Sequence, residues 1–153
     1  MASPQDQRPK KKKLSDFLCF ALYSANMAMQ RATRPAFHEL GLTYPQYLVL
    51  VTLWERDGRL VNEIGHVLYL ESSTLTPVIK KLERMELVVR ERDTDDERKV
   101  RVKLTEKGRR LESESEPFFD AVLGLSGLPE DRFQELQSEI VALRDRLLAA
   151  SAR

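Results

Sequence analysis

Apolar side chains recur every three or four residues in the first part of the chain, which is the spacing of one helix face. The first stripe consists of Leu14, Leu18, Ala21, Leu22, Ala25 and Met29. It predicts a helix that starts at Leu14, continues through Pro35 with a kink or restart, and ends near Gly41. A second, largely buried helix is expected between Thr43, a good N-cap residue, and Gly58, which suits a helix end.

Two further helices separated by a tight turn are predicted downstream. The stretch "RLVNEIGHVLYL" supplies the first, and "ESSTLTPVIKKLERM" supplies the second, with Ser72 and Ser73 as candidate N-caps. In the second helix Leu75 and Leu82 lie on the apolar stripe, and we place Pro77 in the first turn, where proline is tolerated. Such a pair, with a small polar leading edge, is typical of a helix-turn-helix.

The pattern then changes from helical to alternating. The segments "LVVRERD" and "RKVRVKL" favour β-structure and flank the polar turn "DTDDE", which predicts a β-hairpin with a charged tip. A hairpin directly after a helix-turn-helix corresponds to the wing of a winged helix. The predicted fold class is therefore mainly α, with one small β-hairpin.

Helical spacing returns in the last third of the chain. Thr105 is a candidate N-cap for a long helix with a bend at Pro117, and a final helix starts near Pro129. The final helix has an apolar seam formed by Phe133, Leu136, Ile140, Leu143 and Leu147. Such a seam packs either on the chain's own core or on a second helix, so a dimer built from the terminal helices is a natural solution.

Length and composition are those of one globular domain. The chain has 153 residues, 42% of them hydrophobic and 32% charged, and a net charge of +1. One cysteine and two histidines exclude an internal disulfide and argue against a structural zinc site, and we expect no cofactor. Polar residues interrupt the apolar run near the N-terminus, so we expect neither export nor membrane insertion, and a cytoplasmic location fits best.

We expect three regions along the chain. Residues 1–12 form a flexible basic arm, residues 43–105 form the winged helix-turn-helix, and residues 13–42 and 106–153 form a helical dimerisation region. Residues 112–153 carry nine acidic and four basic side chains, which contrasts with the basic arm. This asymmetry indicates surfaces of opposite charge, although ordinary solvated faces would explain it as well.

Four segments together resemble a known family. They are "LCFALYSANMA", "GLTYPQYLVLVTLWE", "LYLESSTLTPVIKKLER" and "RERDTDDERKVRVKLTEKG". With them the chain resembles the MarR family of winged-helix regulators, and more narrowly its organic hydroperoxide resistance repressors (OhrR) of the one-cysteine type. The resemblance extends from Leu14 to Leu148. It implies a homodimer that binds a pseudo-palindromic operator in double-stranded DNA, represses a detoxification gene, and releases the operator when an organic hydroperoxide oxidises the protein.

The predicted helix-turn-helix carries residues suited to DNA contact. The leading part of its second helix can approach base edges and phosphates with Ser72, Ser73, Thr74, Thr76 and Pro77. Lys80, Lys81 and Arg84 follow on the same helix and suit phosphate contacts. An N-cap serine and a solvated lysine face would give the same residues without any DNA.

The predicted hairpin supplies a second group of candidates. We place Arg98 in the minor groove, where narrow A·T tracts concentrate negative potential. Asp96 cannot face phosphate favourably, so we expect it to hold Arg98 by a charge-assisted hydrogen bond. Arg90, Arg92 and Lys99 are candidates for additional backbone contacts. A hairpin with no DNA role would also be charged, and the family resemblance favours the DNA interpretation.

Cys19 is the only cysteine and the candidate redox sensor. A thiol attacks a peroxide quickly only as the thiolate, and an unperturbed thiol titrates near about pH 8.5. A helix N-terminus a turn or two back can stabilise the thiolate, and the resemblance implies hydrogen bonds from Tyr23 and Tyr44, in part across the dimer. Without a second cysteine, the sulfenic acid would be capped by a small cellular thiol, form a backbone sulfenamide, or be over-oxidised.

Two positions depart from the family pattern. Thr33 stands where some members have another tyrosine, so the thiolate would be held differently. Glu86 stands where members commonly have glycine at the end of the recognition helix, which would alter the exit from that helix.

Three other interpretations of the chain stay open. A cysteine among Phe, Leu and Ala is usually inert, and the protein would then be a MarR-type repressor released by a phenolic or lipophilic ligand. A thiol peroxidase would need a poised base, but His38 and His66 have no motif spacing to Cys19, so we expect no enzyme. A helical interaction protein without DNA is disfavoured by the charged hairpin after "SSTLTP".

Overall fold

The computed structural model describes residues 12–115 and 117–151. The predicted basic arm at residues 1–12 therefore lies outside the described residues, apart from Lys12. The chain divides into two compact units, one that ends at Ala32 and one that begins at Thr33. Our division into DNA-binding and dimerisation regions remains a prediction.

The first helix of the chain starts later than its apolar stripe predicts. A 3₁₀ turn at Leu14–Asp16 precedes α1, which spans Leu18–Glu39. The backbone N–H of Asp16 closes the 3₁₀ turn on the carbonyl of Lys13 at 3.0 Å, and the N–H of Lys13 donates in turn to Asp16 Oδ2 at 2.9 Å. The helix continues through Pro35, as predicted, and Gly41 adopts a left-handed φ of 67° beyond its end.

The second unit contains the remaining elements. These are α2 (Tyr44–Glu55), β1 (Arg59–Leu60), α3 (Val61–Leu68), α4 (Ser72–Arg84), β2 (Val88–Arg92), β3 (Val100–Leu104), α5 (Glu106–Ser115), α6 (Pro117–Ser126) and α7 (Glu130–Ser151). We call the part from α2 to β3 the winged-helix lobe. The structure is mainly helical with one small antiparallel sheet, which confirms the predicted fold class.

The sheet has one strand more than the predicted hairpin. Its order is β1-β3-β2, with Val102 of β3 opposite both Arg59 and Arg90. We expected Arg59 and Leu60 to open the helix that became α3, and this was wrong. Leu60 is extended because it pairs with β3, while its N–H donates to Glu63 Oε2 at 2.7 Å and so caps α3.

The core of the second unit lies inside the winged-helix lobe. Leu50 and Leu53 of α2, Ile64 of α3, Leu75 of α4 and Val102 of β3 are completely buried. Burial of such side chains is the main favourable term in folding.

A hydrogen bond from Trp54 joins α5 to this core. Its indole Nε1 donates to the carbonyl of Gly108 at 2.9 Å. A Cβ at position 108 would stand 2.1 Å from the carbonyl oxygen of Leu87, so only glycine permits this approach. The residue that weakens α5 by propensity is therefore the one that lets it pack.

The long helix expected from Thr105 is described in two parts, α5 up to Ser115 and α6 from Pro117. Residue 116 between them lies outside the described residues, so the bend at Pro117 stays a prediction. None of the helices formed by the described residues has the length and apolar composition that crossing a membrane requires.

Candidate DNA-binding surface and cysteine site

The turn between α3 and α4 is tight and depends on two particular backbone positions. Tyr69 adopts a left-handed conformation with φ 56°, and the N–H of Leu70 donates to the carbonyl of Gly65 at 2.9 Å. A Cβ at position 65 would lie 2.6 Å from the carbonyl oxygen of Leu70, which excludes larger residues. These contacts bring α3 and α4 together as the predicted helix-turn-helix.

The start of the recognition helix α4 differs from the prediction. Glu71 is the N-cap, because its carbonyl accepts the N–H groups of Thr74 and Leu75 at 3.0 and 3.1 Å. The prediction that Ser72 or Ser73 caps the helix was therefore wrong. Ser72, Ser73 and Thr74 instead occupy the first turn, where their side chains are exposed.

Pro77 lies in the second turn of α4, not in the first as predicted. The helix begins at Ser72, so Pro77 is its sixth residue, two positions later than an N-cap at Ser73 would have placed it. Proline provides no N–H for the carbonyl of Ser73. Next to it, the hydroxyl of Thr76 donates to the carbonyl of Ser72 at 2.7 Å. The Thr76 hydroxyl proton is thus engaged within the helix and the side chain is only partly exposed.

The outer face of α4 carries positively charged side chains that form no ion pairs within the described residues. At 100° per residue, Lys80 and Arg84 lie opposite the buried Leu75 and Ile79. Within the described part of the chain, no carboxylate forms an ion pair with Lys80, Arg84 or the neighbouring Lys81. Their charges are available to phosphate groups.

The cations of the wing strands are mostly engaged within the protein. Arg90 Nε donates to Glu83 Oε2 of α4 at 2.8 Å, and its Nη2 is equally close. Arg92 Nη1 donates to the carbonyl of Glu97 at 3.2 Å. Since Glu83 compensates the charge of Arg90, this side chain joins α4 to β2 in the free protein, and its predicted contact with the DNA backbone stays a prediction.

The wing tip presents Arg98 to solvent. Its side chain is 96% exposed, and its Nε lies 3.9 Å from Asp96 Oδ1, which is too far for a hydrogen bond. The prediction that Asp96 holds this guanidinium by a hydrogen bond was therefore wrong. Asp96 Oδ1 instead accepts the backbone N–H of Arg98 at 3.1 Å, and Asp96 Oδ2 lies 3.8 Å from Lys99 Nζ. Asp96 thus shapes the turn that carries Arg98.

Asp93 organises the wing and was not singled out from the sequence. Its buried carboxylate accepts hydrogen bonds from the Arg101 guanidinium and from the backbone N–H groups of Asp95 and Asp96. The Arg101 hydrogen bond, followed by the bond from Asp95, lowers the pKa of Asp93 below its ordinary value. Its place in the run "DTDDE" concealed it, because every acidic residue there is equally suited to a turn.

Cys19 is the second residue of α1 and is exposed in the single chain. The N–H groups of Phe20 and Ala21 both donate to the carbonyl of Phe17 at 3.1 Å, so α1 begins immediately before the cysteine. We expected the helix N-terminus a turn or two earlier. Because the 3₁₀ turn ends at Asp16, Cys19 lies in the first turn itself, where N–H groups and the helix dipole favour negative charge.

The two tyrosines proposed to support the cysteine lie in different units. Tyr23 lies one turn after Cys19 on α1 and is largely exposed. Tyr44 opens α2, where its ring centroid is 5.6 Å from that of Phe37. Thr33, the departure from the family pattern, is buried. Among the described residues, no cluster of His, Cys, Asp and Glu could hold a metal ion.

Comparisons with known proteins agree with this geometry. The sequence profile of the family "Transcriptional regulator SarA/Rot" matches residues 32–114. The HTH-type transcriptional regulator TtmR of Methylorubrum extorquens is 43% identical over 145 residues, which are 95% of this chain and 74% of TtmR. The organic hydroperoxide resistance transcriptional regulator of Bacillus subtilis is 38% identical over 135 residues, which are 88% of this chain and 92% of that protein.

A solved structure shows the same fold on DNA. Reduced AbfR bound to DNA is 36% identical, has a TM-score of 0.70, and is matched over 88% of this chain and 94% of its own. The helix-turn-helix, the wing and these relatives lead to one conclusion. The chain is a DNA-binding transcriptional regulator that belongs to the winged-helix family of the MarR and SarA/Rot proteins.

Proposed function

We propose that this regulator binds its operator as a homodimer and releases it when an organic hydroperoxide oxidises Cys19. The observation that carries the proposal is the position of Cys19, exposed in the first turn of α1, in a chain similar to a regulator named for organic hydroperoxide resistance. The reactive form of a cysteine towards a peroxide is its thiolate, and an exposed thiol is accessible to the oxidant. Such a thiol requires a reducing compartment, so we place the protein in the cytoplasm.

The helix-turn-helix of each subunit would enter one major groove. Two units related by a two-fold axis read half-sites about 10 base pairs apart. Ser72, Ser73 and Thr74 are the exposed residues nearest the leading end of α4 and would approach base edges, with Thr76 and Pro77 behind them. Lys80, Lys81 and Arg84 would bind phosphates, and their lack of partners within the described residues supports this role.

The wing would enter the adjacent minor groove. Arg98 is suited to it because its guanidinium is exposed and projects from a turn that Asp96 shapes. Lys99 and Arg92 would contact the DNA backbone. Arg90 would do so only after leaving Glu83, so its main role would be to join the wing to α4.

The dimer would be built from the terminal helices, at residues 13–42 and 106–153. The seam predicted on α7 stays largely open in the single chain, since α7 has no buried residue and exposes Leu136, Ile140 and Leu147. Removing such a surface from water is favourable, and a second copy provides a matching face.

Oxidation would proceed by attack of the Cys19 thiolate on one peroxide oxygen. The S–O bond forms as the O–O bond breaks, so sulfur becomes a sulfenic acid and the hydroperoxide leaves as its alcohol after taking up a proton. A small cellular thiol would then displace water to give a mixed disulfide. Tyr23 and Tyr44 would support the thiolate as phenol donors. The added group would separate helices in the dimer and change the spacing of the recognition helices.

An operator-binding titration with and without cumene hydroperoxide, in the presence of a small thiol such as cysteine, tests the proposal. The duplex can be selected by the native protein from a random-sequence pool. We expect oxidant to release native protein, whereas Cys19→Ser keeps its affinity because a serine hydroxyl does not react. Equal release of both proteins would exclude the thiol mechanism.

A cavity favours the ligand-release alternative if that test fails. It has a volume of about 430 Å³ and is lined by four apolar residues and four charged residues, Leu40, Met85, Leu87, Leu111, Glu106, Lys107, Arg110 and Glu114. A lining with both apolar and charged side chains suits an amphipathic ligand such as a phenol. Met85→Trp would fill the cavity and abolish a response that Cys19→Ser leaves intact.

A further inference from the structure

A continuous series of polar contacts runs from α5 to the tip of the wing. It starts at Arg109 on α5, whose Nη1 and Nη2 lie 3.0 and 2.9 Å from Asp57 Oδ2. The other oxygen of this carboxylate, Oδ1, accepts the backbone N–H groups of Gly58 and Leu104, both at 2.8 Å. Asp57 therefore joins α5, the turn before β1 and the end of β3.

Arg101 on β3 continues the series to the wing. Its Nη1 donates to the carbonyl of Gly58, and its Nε and Nη2 both donate to Asp93 Oδ2, with Nε at 3.1 Å. Asp93 Oδ1 accepts the N–H groups of Asp95 and Asp96 at 3.0 and 3.3 Å. Only 5% of the Asp93 side chain is exposed, so water competes weakly for these contacts.

The last step reaches the exposed guanidinium of Arg98. No side chain among the described residues holds this group by a hydrogen bond, and its ion-pair distance to Asp96 is long. The direction of Arg98 is therefore set by the backbone of the tip, which Asp93 and Asp96 fix. A contact residue is accurate only when its support is rigid.

We propose that Arg109 is a positioning residue for the wing. By holding Asp57 it fixes the turn to which Arg101 is bonded, and Arg101 with Asp93 then directs Arg98 towards DNA. The inference rests on the proposed entry of Arg98 into the minor groove. Its consequence is that a movement of α5, which lies in the proposed dimerisation region, changes the direction of the wing through bonded contacts.

A double-mutant cycle in operator binding tests this role. The variants are Arg109→Gln, Arg98→Ala and the combination, measured on the duplex selected by the native protein. We expect Arg109→Gln to weaken binding about threefold to tenfold in the native background and by less than about twofold when Arg98 is alanine. A merely structural contribution of Arg109 would lower affinity equally in both backgrounds.

Arg110→Gln is the matched control. Arg110 is the next residue on α5, but its side chain is 74% exposed, and its one ion pair within the described part of the chain is with Glu106, at 3.4 Å. We expect it to leave affinity unchanged in both backgrounds. Hydroxyl-radical footprinting gives a second readout, because Arg109→Gln should reduce protection of the minor groove and leave major-groove protection in place.

The outcomes separate the inference from the function on which it rests. If Arg98→Ala alone leaves operator affinity unchanged, the proposed minor-groove contact is wrong, and so is the positioning role of Arg109 that depends on it. If Arg98→Ala weakens binding but Arg109→Gln is additive or without effect, only the inference is overturned. If Arg109→Gln does not fold, Arg109→Lys replaces it in the cycle, because lysine lacks the paired guanidinium donors. The outcomes are then interpreted in the same way.

Discussion

In the winged-helix lobe Leu50, Leu53 and Ile64 are fully buried, whereas on α7 Leu136 and Ile140 each expose 44% of their surface. The lobe closes its core within one chain, because three helices and the sheet meet around these side chains. The helix α7 repeats apolar residues with similar spacing and buries none of them. Helical periodicity thus marks a face that needs burial, and it does not tell whether the same chain covers it.

The largest expected effect comes from the same substitution made in both regions. Leu50→Ala should lower the free energy of unfolding by about 2–5 kcal/mol, because it leaves a cavity in a closed core. Leu147→Ala, at protein concentrations that favour the monomer, should cost less than about 1 kcal/mol, since this side chain is 56% exposed. Urea unfolding followed by circular dichroism measures both. Equal losses would remove the distinction between the two regions.

A charge on the α7 seam tests whether a second copy covers it. Ile140→Asp should raise the dimer dissociation constant by at least about tenfold, or about 1.4 kcal/mol, because a carboxylate would be desolvated in an apolar interface. Ser138→Asp introduces the same charge on the opposite face of α7 and should leave the constant unchanged. Sedimentation velocity over a range of concentrations gives both values. A monomeric native protein would contradict the proposed dimer.

A smaller loss of stability is expected when the charge of Asp93, which pairs with Arg101 in the wing, is removed. The folded-state pKa of Asp93 is lowered, so its contribution to stability is present above the ordinary pKa of about 3.8 and is lost as pH falls through the lower folded value. Asp93→Asn should therefore be less stable than native protein at pH 7, and the difference should narrow at pH values below about 3.8. Urea unfolding at both pH values measures it.

Asp95→Asn is the control for the Asp93 measurement. Within the described residues, its carboxylate takes part in none of the contacts that join the tip to β3. Its stability should follow that of the native protein at every pH. A constant difference between native protein and Asp93→Asn across the acid range would show that the ion pair with Arg101 contributes nothing in solution.

The smallest effect is a gain in stability at the end of α4. Glu86 adopts a left-handed φ of 61°, and the N–H of Leu87 donates to the carbonyl of Leu82 at 3.0 Å. Glycine removes the strain at such a position but makes the unfolded chain freer, so Glu86→Gly should stabilise the lobe by about 0.5–1 kcal/mol. Thermal unfolding measures the gain. A loss of stability would mean that the Glu86 side chain contributes more than its backbone costs.

Much of the fold follows from the sequence because its signals are local. The apolar stripes, the turn "DTDDE" and the N-cap Thr105 predicted the helices and the wing, and Thr105 Oγ1 does accept the N–H of Gly108 at 3.0 Å. The departure at Glu86 was expected to alter the exit from the recognition helix, and the structure shows a left-handed backbone at this residue.

The features that sequence missed depend on partners far along the chain. The strand at Arg59 exists because β3, some forty residues later, pairs with it. The role of Asp57 depends in the same way on Arg109, which lies 52 residues later. Asp93 pairs with Arg101 only eight residues away, but this contact requires the folded hairpin, and no local pattern distinguishes Asp93 from its acidic neighbours. The residues proposed to contact DNA from α4 could be predicted because the helical repeat places them on one face. The pairing of Arg90 with Glu83 could not be predicted, because it depends on how the folded sheet packs beside α4.

The most direct measurement follows operator release and the modification of Cys19 in the same sample. Native protein on a fluorescent selected duplex is titrated with cumene hydroperoxide in the presence of a small thiol. Anisotropy reports the bound fraction, and mass spectrometry of the peptide that contains Cys19 reports the fraction of chains whose cysteine carries oxygen or the thiol. We predict that bound operator falls in proportion to Cys19 oxidation, and that Cys19→Ser shows neither change. Release from chains whose Cys19 is unmodified, or full oxidation of Cys19 with the operator still bound, would contradict the thiol switch.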